Sequence, residues 1–175
     1  MLIVAATDRE LAHVRRFETF ACGIGPVEAA LQTGRVLAER RPDGVVHIGF
    51  AGARAIEPLS LVLGSEAVYE DARGPLVPAR VQPDAELLAT LRRALPEARV
   101  LPIGTSAHVG GTSACDVEAM EGFGVLRACE LAGVPAVELR AISNSPEESD
   151  RSKWFFEQAF ELLGAALDRL ELDVV

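Results

Sequence analysis

A chain of 175 residues, 49% of them apolar and 25% charged, has the size and composition of one folded domain over residues 1–175 that needs no disulfide or metal staple, and it excludes a disordered protein. Its 26 acidic against 17 basic side chains give a formal charge of −9, which repels phosphate backbones and argues against a nucleic-acid partner. No apolar run is long enough to span a membrane and no signal-peptide pattern opens the chain, so it reads as cytoplasmic.

Leu2 to Ala6 is a short apolar run that predicts a buried strand ending in the polar loop Thr7 to Glu10. Between Gly25 and Arg41, apolar residues at 27, 30, 31, 34, 37 and 38 fall on one helical face, with Pro26 suited to the first turn. Gly44 to Gly52 reads as a second buried strand running into a glycine-rich turn, and Leu61 to Tyr69 as a third. The segment from Glu70 to Pro78 is punctuated by Pro and Gly and reads as a loop.

Pro83 to Leu95 has helical spacing, and Arg99 to Thr105 predicts a strand followed by a loop with Gly110 and Gly111. Asp116 to Gly133 predicts a helix weakened by Gly122 and Gly124. Val134 to Ile142 predicts the last strand, and Asp150 to about Leu170 a terminal helix. Strands and helices alternate throughout, so the expected class is α/β: a mixed, largely parallel central sheet with helices on both faces. Ligands in such folds gather at the C-terminal ends of strands. Three cysteines (Cys22, Cys115, Cys129) and three histidines (His13, His47, His108) are spaced for no zinc site, so neither metal nor cofactor is expected.

Four separated pieces carry a resemblance: Ala5 to Leu11, Gly23 to Ala30, His47 to Ala53, and Val117 to Gly122 with Arg140 to Asn144 beyond it. Together, and in this order, they resemble the nucleoside phosphorylase/nucleosidase superfamily, most closely its bacterial nucleosidases. The resemblance implies cleavage of the N-glycosidic bond of a small-molecule nucleoside, with Met120 and Glu121 on the ribose. A carboxylate can accept both vicinal hydroxyls while Met gives the sugar an apolar bed; otherwise Met120 is a core residue and Glu121 a solvated one.

Glu10 matches the carboxylate that activates water in family nucleosidases. Asp8 beside it is the second candidate, and an exposed first-turn acid is the plain alternative for Glu10. Asn144 stands where family enzymes acting on adenine nucleosides carry Asp, and its amide suits a 6-oxopurine such as hypoxanthine; a simple turn residue is the alternative. Phe50 stands where phosphorolytic relatives place a hydroxyl, which tilts the reaction toward water, although it could serve packing alone.

Ser106, Ala107, His108 and Val109 are further cavity candidates. The resemblance also implies a homodimer, with the loop from Glu70 to Pro78 reaching a neighbour. The readings in order are a 6-oxopurine nucleosidase, an adenine-nucleoside nucleosidase, a purine nucleoside phosphorylase, and a catalytically weak purine-binding protein. The last is motivated by a chain shortened around Phe17 to Ala21 and between Gly111 and Asp116.

Overall fold

Side chains alternate across a strand, so a strand apolar on both faces needs cover on both. In β1 (Leu2–Ala5), Leu2 and Val4 join one core while Ile3 and Ala5 join another on the opposite face. The first core is closed by α2 (Pro26–Glu39) and α4 (Gly122–Ala132), the second by α3 (Ala85–Ala94) and α5 (Phe156–Asp168). The structure, a computed structural model, describes residues 1–110 and 114–171; Gly111, expected in a loop, lies outside them.

The remaining elements are α1 (Asp8–Leu11), β2 (Glu18–Ala21), β3 (Val45–Ala53), β4 (Leu61–Tyr69), β5 (Arg80–Val81), β6 (Arg99–Thr105), β7 (Val117–Ala119) and β8 (Ala136–Asn144). The sheet is mixed and largely parallel, with helices on both faces, as the sequence predicts. It also curls onto itself. β3 pairs with β8, β8 with β4, β4 with β6, β6 with β7, and β7 returns to β3, so five strands form a closed ring. β1 and β2 extend the sheet from β3, and β5 from β4.

Several local expectations are corrected. Residues 116–133 are not one helix: Val117–Ala119 form β7, in register with β6 and antiparallel to β3, and α4 starts only at Gly122. Ladder hydrogen bonds on both sides of β7 outweigh a helical pattern already weakened by two glycines. Thr7 to Glu10 is not open loop, because Thr7 and Glu10 form a reciprocal capping box that starts α1. Residues 18–21 form an edge strand parallel to β1, and the terminal helix begins at Phe156, after a 3-10 turn at Arg151–Lys153 capped by Asp150.

The buried stripe of α2 also differs from the expected one. It runs through Pro26, Ala29, Thr33, Val36 and Leu37, while Val27 and Leu31 are 75% and 65% exposed. The helix is apolar on two faces and only one packs against the sheet. Helices α2 and α4 approach closely at Gly124, where an added Cβ would collide with the Pro26 carbonyl oxygen and lie 3.1 Å from Ala30 N. Backbone cannot step aside as a side-chain tip does. Gly124→Ala is therefore expected to lower unfolding stability by about 1–3 kcal/mol. Gly34→Ala in the same helix pair, where an added Cβ meets nothing within 4 Å, is expected to raise it by about 0.5–1 kcal/mol; denaturant titration of both variants checks the contrast.

Candidate active site

Alternation along β8 places Glu138 and Arg140 on the α2/α4 face, and the parallel register sets them beside His47 and Gly49 of β3. All of this is buried. The Arg140 guanidinium donates from Nε to Glu138 Oε1 at 2.7 Å and from Nη2 to His47 Nε2. Arginine has no acceptor, so His47 Nε2 must be an unprotonated acceptor and the ring carries its proton on Nδ1, 3.0 Å from the Val4 carbonyl oxygen. Burial, then the facing guanidinium, hold the His47 pKa well below its ordinary value, in keeping with a neutral ring.

Two more carboxylates face this guanidinium. Glu121, at the entry to α4, lies with Oε2 3.8 Å from Arg140 Nη2 and accepts from Gly25 N at 3.1 Å through Oε1. Glu10 is 3% exposed, and its Oε2 accepts from Thr7 N and Thr7 Oγ1, both at 2.9 Å. The capping box thus aims the side chain inward. A Cβ on Gly49 would run into Arg140 and sit 2.8 Å from Glu10 Oε1, so the absence of a side chain there lets acid and guanidinium approach. Burial raises the Glu10 pKa and Glu121 adds to this, with Arg140 and Thr7 opposing.

A cleft enclosing about 600 Å³ of empty space, its open mouth included, lies over this cluster at the strand ends. Glu10, Glu121, Met120, Phe50 and Asn144 all line it. Residues from four separated stretches of sequence are brought together. Phe50 is held by an edge-to-face contact with Phe156, centroids 4.8 Å apart, and by Phe160 at 6.0 Å. The Asn144 amide accepts from Ser143 Oγ at 2.7 Å and donates to the Ser145 carbonyl at 2.9 Å, which fixes which way it faces.

His108 and Val109 also line the cleft, whereas Ser106 and Ala107 do not. Ser106 Oγ lies 3.5 Å from Asp71 Oδ1 and 3.4 Å from His108 Nδ1, and Asp71 also accepts from Ala107 N. Asp8 is exposed and away from the cleft, so it is no substitute for Glu10. Sequence reasoning gave no role to His47, Glu138, Arg140 or Glu118, all buried. A polar side chain inside an otherwise apolar strand, as in Val137-Glu-Leu-Arg140 and Val45-Val-His-Ile48, was the signal for three of them. Cys22 is no nucleophile, because burial, helped by Glu121, pushes its thiol up to about 12.

The model of the phosphorylase superfamily matches residues 19–116. A futalosine hydrolase of Streptomyces coelicolor is 32% identical over 88% of this chain and 78% of its own length. The chain belongs to the phosphorylase superfamily. A 5′-methylthioadenosine/S-adenosylhomocysteine nucleosidase of Maridesulfovibrio salexigens is 28% identical over 89% of this chain and 79% of its own length. Among solved structures, a futalosine hydrolase mutant of Helicobacter pylori superposes with a TM-score of 0.87 at 18% identity, covering 97% of this chain and 96% of that one. The adenine complex of the methylthioadenosine-type nucleosidase of Colwellia psychrerythraea gives 0.82 at 20% identity, covering 97% and 94%.

The span that matches the superfamily model stops short of Glu10, Glu121, Arg140 and Asn144, so their assembly rests on the geometry above. That assembly has a measurable energetic signature. Removing the guanidinium in Arg140→Met leaves Glu138 buried without its counter-charge, a defect that costs about 3–5 kcal/mol. The Glu138 pKa is already raised by burial, with Arg140 pulling the other way, and loss of Arg140 raises it further. A raised native pKa favours folding below the unfolded value and loses that contribution as pH rises through the native one. The variant's deficit is therefore expected to grow as pH rises and to shrink on acidification, and adding Glu138→Gln is expected to flatten that dependence; urea titrations at several pH values measure both.

Proposed function

We propose that this nucleosidase hydrolyses the N-glycosidic bond of a 6-oxopurine nucleoside, with futalosine, an inosine derivative, as its substrate and hypoxanthine as the released base. The observation that carries this reading is the pairing, in one cleft, of a buried carboxylate with a raised pKa and an oriented amide: Glu10 and Asn144. Relatives of both the futalosine and the methylthioadenosine type support nucleoside cleavage in general. The choice between leaving bases rests on Asn144.

In this mechanism Glu10 takes a proton from water, the water oxygen bonds to C1′, and the C1′–N9 bond breaks with its electron pair passing into the purine. Arg140 stands behind Glu10 and favours its ionised form against burial. Glu121 accepts the ribose hydroxyls and Met120 lies against the sugar. The developing positive charge on an oxocarbenium-like sugar is stabilised by both carboxylates. Asn144, with one bond on each amide atom already made, still has one N–H for O6 and one lone pair for a protonated N7. Its proton comes from solvent, since an amide has none to give.

Phe50 favours water over phosphate, because a phenyl ring wedged against Phe156 and Phe160 offers an anion no donor. Base release is expected to proceed equally with and without phosphate and to yield free sugar; formation of a sugar 1-phosphate contradicts this. Since the Glu10 pKa is raised from 4.5, kcat/KM is expected to fall on the acid side with an inflection above pH 4.5. Glu10→Gln is expected to lose about 10²–10⁴-fold in rate together with that inflection. Asn144→Asp is expected to shift the ratio of kcat/KM values toward an adenine nucleoside.

A second reading, an adenine-nucleoside nucleosidase, is favoured by the methylthioadenosine-type relatives and is separated by the same comparison of substrates. We also propose a homodimer. Val27 and Leu31 of α2 and Leu131 of α4, the last 72% exposed, are large apolar side chains left at the surface, as is Ile24, which lines the cleft. The loop from Glu70 to Pro78 also carries Leu76 at 94% exposure. Sedimentation is expected to give a dimer, and Leu31→Glu with Leu131→Glu a monomer of lower activity.

A further inference from the structure

Glu138 and His47 do not line the cleft, and both are completely buried. Among the described residues the Glu138 carboxylate accepts one hydrogen bond, from Arg140 Nε, and its Oε2 has no partner. Room for it is left by Gly122, the first residue of α4, where a Cβ would collide with both carboxylate oxygens. A carboxylate buried with one oxygen unmatched costs the fold stability. Its reason therefore lies in what it does to Arg140.

Register explains how the two residues act together. Glu138 of β8 and His47 of β3 are cross-strand partners, and Arg140 and Gly49 are the partners two residues on, so all four positions share one face. Nε and Nη2 lie along one edge of the planar guanidinium, and these are the atoms that donate to Glu138 Oε1 and His47 Nε2. Two acceptors on one edge of a rigid plane fix its orientation. The remaining amino nitrogen, Nη1, is buried and has no hydrogen-bond partner among the described residues. It projects over Gly49, where a Cβ would collide with it and lie 2.8 Å from Glu10 Oε1.

We infer that Glu138 and His47 are positioning residues: together they grip one edge of the Arg140 guanidinium and so hold its remaining amino group toward Glu10, the acid that takes the proton from water. This rests on the reading of Glu10 given above and names what sustains it. Held in place, Arg140 favours the ionised acid against burial. Released, the guanidinium is free to turn its charge toward Glu121, whose Oε2 already lies 3.8 Å from Nη2. The other groups facing Glu10 are Glu121 itself, at the entry to α4, and the Cys22 thiol after β2, pushed up to about 12. On its own helix Asp8 and Arg9 are exposed, the latter paired with Glu157 of α5. An acid that works ionised loses rate as it takes up a proton, so losing the held cation raises its pKa and moves the acid limb of kcat/KM to higher pH.

The test follows kcat/KM against pH with futalosine, or with 5′-methylthioadenosine if that is the nucleoside cleaved, in the unaltered protein and in variants that separate position from charge. Glu138→Gln keeps an acceptor for Nε but no charge, and its acid inflection is expected to stay where it is or move lower. Glu138→Asp keeps the charge but withdraws it by one methylene, and His47→Leu removes the Nη2 acceptor without altering any charge; each is expected to move the inflection up by about 1 pH unit. A change that merely loosens the fold lowers kcat/KM at every pH and leaves the inflection in place. An inflection unmoved in both Glu138→Asp and His47→Leu, or moved by Glu138→Gln as far as by Glu138→Asp, overturns the positioning role, and His47→Leu carries the test if the aspartate variant does not fold. Glu10→Gln separates the two readings. If it keeps the acid inflection, the reading of Glu10 falls; if it loses the inflection while Glu138→Asp and His47→Leu leave theirs unmoved, only the positioning role falls.

Discussion

A guanidinium with no exposed surface holds this site together. Arg140 is buried within the sheet, and three carboxylates and an imidazole converge on it: Glu138 and His47 by direct hydrogen bonds, Glu121 at 3.8 Å, and Glu10 across the bare face of Gly49. No such charge survives burial without partners. The same partners gain from it, because three acids crowded together in low dielectric would otherwise raise one another's pKa values. Burial still raises Glu10 and Glu138, with Arg140 opposing in both cases.

The fold supplies this arrangement through register and strand direction. β1, β3 and β8 run parallel and end on the same side, and the strands with the segment after β1 bring the candidate residues Glu10, Phe50 and Asn144 to one cleft. β7 enters antiparallel to β3 and hands over to α4 through Met120 and Glu121. The closed ring fixes the spacing of these strands, and the capping box of α1 turns a local helix-start device into an aiming device for Glu10. Apolar layers on both faces then keep the cluster dry from below, leaving the cleft as its route to solvent.

Much of this was legible in the sequence, for identifiable reasons. Strands such as Val45 to Ala53 are continuous apolar runs, and strands buried on both faces read that way. The candidates Glu10, Met120, Glu121, Phe50 and Asn144 came from separated pieces whose order resembled a known family, and the fold brings them to one cleft. Local periodicity failed where tertiary pairing decides. Val117 to Ala119 is short enough to be absorbed into a helical pattern, and only its ladders with β3 and β6 reveal a strand. Helix α2 carries apolar residues on two faces, so periodicity chose Val27 and Leu31 where the sheet took Ala29 and Val36. The placement of Glu118, Glu138 and His47 depends on which strand lies beside which, and a linear reading does not contain that.

The central claim is that the cleft above Arg140 holds a nucleoside with its anomeric carbon toward Glu10 and its purine edge toward Asn144. A crystal structure with a non-hydrolysable futalosine analogue tests it directly. The account predicts a water bonded to Glu10, about 3–3.5 Å from C1′, with Glu121 on the ribose hydroxyls and the Asn144 amide on O6 and N7. A nucleoside bound in the reverse sense, with its purine against Glu10, or bound outside this cleft, contradicts it.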